Sequence, residues 1–128
     1  MRFTVRGVPP RKNDRHALTI RGGRPVRYNA PAYKDFAKRL AAEVRGLTPI
    51  GSGLWDLHVV AYWPRWRHLD QSVPYADADA PISCLLDAMQ DCGLIDDDMR
   101  IMSVTAEKRH SDDPRLDVEI TAVAPHTV

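Results

Sequence analysis

The sequence predicts an α+β fold, a small mixed β-sheet with two helices in the order β-β-α-β-α-β-β. Three observations predict it. Residues 1–8 and 54–64 alternate apolar and polar side chains with the period of a strand. Residues 31–45 and 80–92 repeat apolar side chains at helical spacing. Two more strand-like runs, "MRIMSVTAEKRH" and "RLDVEITAVA", close the chain around the turn "SDDP". With 128 residues, 44% of them hydrophobic and 27% charged, the chain 1–128 is expected to be one globular domain.

The elements follow in order. In "MRFTVRGV", Phe3 and Val5 alternate with Arg2, Thr4 and Arg6, which describes a half-buried strand. "PPRKNDRH" must be a loop, because its prolines and Asn-Asp break regular structure. "ALTIRGGRPVRYN" is suited to a short hairpin about Gly22-Gly23, the second β element. In 31–45, Tyr33, Phe36, Ala37, Leu40, Ala41 and Val44 form one apolar stripe, with Asn29 or Ala30 at the cap, Pro31 in the first turn and Gly46 at the stop. In 54–64, Trp55, Leu57, Val59, Ala61 and Trp63 read as the core face, and His58 on the opposite face reads as a surface residue. "RWRHLDQSVPYADA" is a loop, in which Arg65 and Arg67 flank Trp66 in a pattern suited to phosphate and a stacked base. The second helix, 80–92, is expected to bury Ile82, Leu85, Leu86 and Met89, with Asp79 as N-cap and Gly93 at its end.

Cys84 and Cys92 on that helix would stand roughly 12 Å apart, too far for a disulfide, and they lack the histidines of a zinc site. Both are expected to be small packed side chains. No apolar run approaches the ~20 residues that cross a bilayer. The N-terminus "MRFTVRGVPP" lacks the apolar core of a signal peptide, so a cytoplasmic setting without membrane contact is expected.

Charge is distributed unevenly. Residues 1–27 hold eight basic side chains and one acid, Asp14, for a net +7; residues 70–98 hold eight aspartates and no Lys or Arg, for −8. A basic arm is the footprint of a polyanion partner, and Arg11, Lys12 and Arg15 in its loop are candidate phosphate contacts. An acidic patch suits a hard cation such as Mg²⁺. Two solvated faces that neutralise each other remain the plain alternative.

The densest acidic stretch is "DADAPISCLLDAMQDCGLIDDDMRI", 77–101, with seven aspartates. Capping explains one of them but not Asp77, Asp79, Asp97 and Asp98 together. If the strand after the second helix runs back beside the helix start, Asp98 faces Asp77 and Asp79, and a cation offsets their repulsion. A calcium EF-hand is excluded, since counting from Asp77 puts Ile82 where its glycine belongs and Ala88 where its glutamate belongs.

The sequence resembles the RusA-type Holliday junction resolvases over nearly its whole length. The residues that carry the resemblance are Pro9, Pro10 and Asn13; "YNAPAYKDF"; Asp77 and Asp79; "LLDAM" with Asp87; Gly93; Asp97-Asp98; and Lys108 on the next strand. The spacing runs without a gap from Asp77 to Lys108. The resemblance implies a RusA-like fold and a crossover junction endodeoxyribonuclease. It implies that Asp77, Asp79 and Asp98 are metal-binding catalytic carboxylates, with Asp97 a neighbour of lesser weight and Asp87 an orienting partner. It implies Mg²⁺, with Mn²⁺ as a substitute, branched four-way DNA as partner, and a homodimer. Arg11, Lys12, Arg15, Arg65, Arg67 and Lys108 are the expected DNA contacts. Two departures stand out: Ala80 replaces the family's Asn and Ser83 its helix Lys. Lys12, Arg67 or Lys108 would have to supply the missing cation. The alternative is a junction-binding protein of the same fold with weak or no catalysis.

Overall fold

The computed structural model describes residues 1–12, 15–64 and 77–123. Strand β1, Arg2–Arg6, turns Phe3 and Val5 inward and Arg2 and Arg6 outward, as its alternation requires. It stops short of residue 8 because Gly7 turns the chain at φ +104°, and a Cβ there would fall 1.9 Å from Arg39 Nη1. Strands β2, His16–Arg21, and β3, Arg24–Asn29, form the expected hairpin. Gly22 and Gly23, at φ +57° and +77°, make a two-residue turn whose positive φ angles give it a twist that matches the right-handed twist of the paired strands.

Helix α1, Pro31–Glu43, buries Tyr33, Phe36 and Leu40, and Val44 extends the stripe. Ala30 is its N-cap and no side chain caps it, while Pro31 at the start has no N–H to leave unsatisfied. Strand β4, Trp55–Trp63, buries Leu57, Val59, Ala61 and Trp63, so the expected face is the core face.

Helix α2, Ile82–Asp91, departs from the expectation in two ways. Its buried residues are Cys84, Leu85, Ala88 and Met89, with Ile82 and Leu86 only half-buried. The small side chains of Cys84 and Ala88 join Leu85 and Met89 in the core cluster, on a helix whose closest backbone contacts are with α1. The expected Asp79 cap is also absent: the N-cap is Pro81, with no side-chain hydrogen bond. Asp77 and Asp79 lie in two successive turns closed through backbone oxygens, Ala80 N–H to Asp77 at 3.0 Å and Ile82 N–H to Asp79 at 3.1 Å. Their carboxylates are therefore not spent on the helix end.

A 3-10 turn, Asp98–Arg100, leads into β5, Ile101–His110, and β6, Arg115–Ala122, follows. The main sheet has the order β1-β6-β4-β5. Strand β6 pairs antiparallel with β1, Leu116 opposite Val5, and with β4, Val118 opposite Val59. Strand β5 pairs parallel with β4, Val104 opposite Leu57, Ala106 opposite Val59 and Lys108 opposite Ala61. The sheet is mixed as expected. A parallel pair needs a crossover, and α2 lies within it.

One buried cluster joins the inner sheet face (Phe3, Val5, Leu57, Val59, Leu116, Val118, Ile120) to Tyr33, Phe36 and Leu40 of α1 and to Cys84, Leu85, Ala88 and Met89 of α2. The outer face is polar. Thr4 donates to Asp117 at 2.8 Å, and the expected surface residue His58 pairs with Glu107 at 3.0 Å. Neither cysteine forms a disulfide, and Cys84 is fully buried. Among the described residues no helix is long and apolar enough to cross a membrane.

Candidate metal and nucleic-acid site

The seven aspartates of 77–101 divide into two groups. Four are engaged. Asp87 accepts a hydrogen bond from Arg15 Nε at 2.8 Å, and Asp91 accepts one from the Tyr33 hydroxyl. Asp96 accepts both Nε and Nη2 of Arg100, the latter at 2.9 Å, a contact that holds its carboxyl below the usual carboxylate range. Asp97 caps the 3-10 turn, accepting Met99 N–H at 2.8 Å. The other three, Asp77, Asp79 and Asp98, make no side-chain hydrogen bond or ion pair among the described residues.

Two of these three open on one cavity of about 500 Å³. Asp79 from the turn before α2 and Asp98 from the 3-10 turn share its wall with Lys12, Ser83 and Asp87, over an apolar floor of Ile82, Leu86, Val104 and Ala106. The half-buried positions of α2 are therefore explained: Ile82 and Leu86 pack against the edge of the core and floor the cavity with their exposed side. Asp77, two residues before Asp79, is exposed and is not part of the wall. Carboxylate oxygens are hard donors of the kind Mg²⁺ or Mn²⁺ takes, and Asp79 and Asp98 offer such donors unshared. Among the described residues no group of three His, Cys, Asp or Glu is placed to hold a metal ion. The structure thus brings together two of the three expected ligands.

The loop after β1 reaches this cavity because it is fastened from below. Pro9 and Pro10 are buried, and the Cys84 thiol donates to the Arg11 carbonyl at 3.6 Å, which ties the loop to the first turn of α2. Lys12 next to it then projects into the cavity wall, and its side chain has no hydrogen-bond or ion-pair partner among the described residues.

Arg15, expected on DNA, is turned inward. Its side chain is 17% exposed, binds Asp87, donates to Asn29, and lies 3.7 Å over the Tyr33 ring. Burial is the largest single influence and works against its charge, but the Asp87 hydrogen bond and the charges of Tyr33, Asp87 and Asp91 together outweigh it, so its pKa is raised. Burial also pushes the Tyr33 phenol well up, reinforced by its hydrogen bond to Asp91. This five-residue network is what the sequence reading missed. Its one sequence signal is the i, i+4 pair Asp87 and Asp91 on a single helix face.

Lys108 continues the strand face of Val104 and Ala106, two residues beyond the cavity floor. Arg11 is exposed beside Lys12. Arg65 and Arg67, with Trp66 and Asn13, lie outside the described residues.

A family model described as "Endodeoxyribonuclease RusA" matches residues 7–121, nearly the whole chain. No curated protein matches it.

Proposed function

The chain belongs to the RusA family of endodeoxyribonucleases, the Holliday junction resolvases, and on that premise we propose that it nicks four-way DNA junctions by Mg²⁺-dependent phosphodiester hydrolysis, as a homodimer. Mn²⁺ suits the same oxygen donors. The observation that carries the site assignment is the division of the aspartates: the three that the family pattern marks are the three without a structural partner. Asp79 and Asp98 would hold the cation from two different elements, and Asp77 is the third proposed ligand.

When bound, the cation polarises the scissile phosphate and lowers the pKa of the attacking water. The Lys12 ammonium binds a non-bridging phosphate oxygen and stabilises the charge that grows there as the water oxygen adds to phosphorus and the P–O bond to the leaving strand breaks, the water giving up its proton to solvent and the leaving oxygen taking one from solvent. Asp87 stays paired with Arg15 and fixes the hairpin base against α2. Arg11 and Lys108 hold flanking phosphates, a role also proposed for Arg65 and Arg67 from the sequence pattern. A junction needs two symmetric nicks and the chain carries one acid set, which supports a two-fold dimer. The proposed substrate is the branched DNA of recombination, repair or phage DNA processing, in the cytoplasm.

One observation favours a second reading, a junction-binding protein without catalysis: Ser83 offers the cavity a hydroxyl where the resemblance expects a lysine. Lys12 in the same wall supplies a cation and supports the catalytic reading. A synthetic four-way junction incubated with Mg²⁺ and with EDTA separates the two. Paired nicks in opposite strands with Mg²⁺ alone support the nuclease. Binding without nicking supports the second reading, and no binding overturns both.

A further inference from the structure

The β2–β3 hairpin has no place in the core. Among the described residues its strands pair only with each other, and neither packs extensively on the main sheet or the helices. A lone two-stranded ribbon is marginal in water, so large apolar side chains on it call for a partner. Leu18 and Ile20 are 71% and 75% exposed. The register puts them on one face, opposite Arg27 and Pro25. The other face carries Val26 and Tyr28 with Arg21 and Arg24. From His16 to Asn29 there is no Asp or Glu. Arg21, Arg24 and Arg27 make no side-chain hydrogen bond or ion pair among the described residues.

The root of the ribbon is fixed at the acid cavity. Arg15 binds Asp87, whose carboxylate is in the cavity wall, and Ala30 N–H donates to the Arg15 carbonyl at 3.2 Å to close the base. Six residues per strand carry the ribbon roughly 20 Å beyond that root. A DNA whose phosphate enters the cavity would pass along it.

The chemistry of the occupant follows from charge and shape. Packing two copies of this ribbon together would set six arginines against each other with no acid between them, which disfavours self-association through it. A phosphate backbone suits the arginines but leaves the aliphatic face exposed. A polyanion that also exposes base faces satisfies both. We propose that the hairpin is a wedge for branched DNA: Leu18 and Ile20 seat against unstacked bases at the branch point, and Arg21, Arg24 and Arg27 hold the phosphates on either side. This rests on the reading that branched DNA is the substrate, and it adds an element outside the acid site that would distinguish a junction from linear duplex.

The test is binding in EDTA, where no cleavage occurs, to a four-way junction with 2-aminopurine at the branch and to a linear duplex of the same sequence. Wild type is expected to raise the 2-aminopurine fluorescence. Leu18→Ser/Ile20→Ser is expected to lose that rise and to bind the junction at least tenfold more weakly, with duplex affinity changed less than threefold. Arg24→Gln/Arg27→Gln, at exposed positions that keep the apolar face, decides the matter if the first variant misfolds by circular dichroism. It should lower the log–log salt slope of junction binding by about two units. Unchanged fluorescence and affinity in a folded Leu18→Ser/Ile20→Ser protein overturns the proposal, as does an unchanged salt slope. A wild-type dimer that the first variant converts to monomer in sedimentation velocity also overturns it, by assigning the ribbon to a second copy of the chain. Nicking measured separately with Mg²⁺ keeps the two readings apart. Nicking without a fluorescence rise sinks the wedge alone, and a rise without nicking sinks the nuclease alone.

Discussion

Arg15 Nε stands 2.8 Å from Asp87 Oδ2, joining the last residue of the basic loop to the middle of α2 across 72 positions of sequence. The same guanidinium covers Tyr33 of α1. One side chain therefore ties the base of the loop and the hairpin root to both helices.

Breaking that tie is expected to cost stability and activity together. Arg15→Ala should destabilise the fold by about 1–2 kcal/mol, a value held down by solvent at the half-exposed Asp87. Asp87→Asn should cost less, because an amide still accepts from Arg15. Urea titration of both single variants and the double variant measures the coupling. A coupling near zero would mean the pair is incidental.

Tyr33 makes alkaline stability a readout of the same network. Its folded pKa is raised, so above the unfolded value of about 10 the native state keeps a proton that the unfolded chain has released. Stability contributed by this group is complete below pH ~10 and is lost as pH rises further. Tyr33→Phe should flatten the decline between pH 9 and 11 while lowering stability at pH 7, where Asp91 loses its donor. An equally steep alkaline decline in the variant would remove Tyr33 from the account.

The unpartnered acids should behave differently from the partnered ones. Asp77→Asn, Asp79→Asn and Asp98→Asn should each reduce nicking at least 100-fold, keep junction binding, and leave the metal-free melting temperature unchanged or raised, since crowded charge is removed. Mg²⁺ should raise the melting temperature of wild type and not of these variants. A lowered melting temperature for Asp79→Asn would show that its carboxylate has a structural role.

Lys12 is expected to matter at the chemical step. Lys12→Ala should slow single-turnover nicking at saturating junction by roughly a hundred- to a thousandfold, the range for loss of one charge-stabilising donor. Ser83→Lys in that background should recover part of the rate, because residue 83 shares the same cavity wall. An unchanged rate in Lys12→Ala, with a loss in Lys108→Ala, would assign the cation to Lys108.

Much of the fold was legible because it rests on short-range pattern. The strand alternation about Val59, the stripe of α1 and the Gly22-Gly23 turn follow from local periodicity, and the structure bears them out. The misreadings share a different cause. Ranking α2 by hydrophobicity favoured Ile82 and Leu86, but the core takes the small residues Cys84 and Ala88 beside Leu85 and Met89. Asp79 had the residue type of a cap, but the turn geometry gave that place to Pro81. Arg15 read as a solvent cation because its partners, Asp87 and Tyr33, are distant in sequence. In the site, the family spacing pointed to Asp77, Asp79 and Asp98, and only tertiary pairing reveals why Asp87, Asp91 and Asp96 are occupied elsewhere.

The most direct measurement is a crystal structure grown with Mn²⁺, with data collected at a wavelength where manganese scatters anomalously. The account predicts an anomalous peak within about 2.0–2.3 Å of carboxylate oxygens from both Asp79 and Asp98, with Asp77 drawn in as a further ligand. A peak seated on Asp87, Asp91 or Asp96, or the absence of any peak at the Asp79–Asp98 cavity in a preparation that nicks junctions, would contradict it.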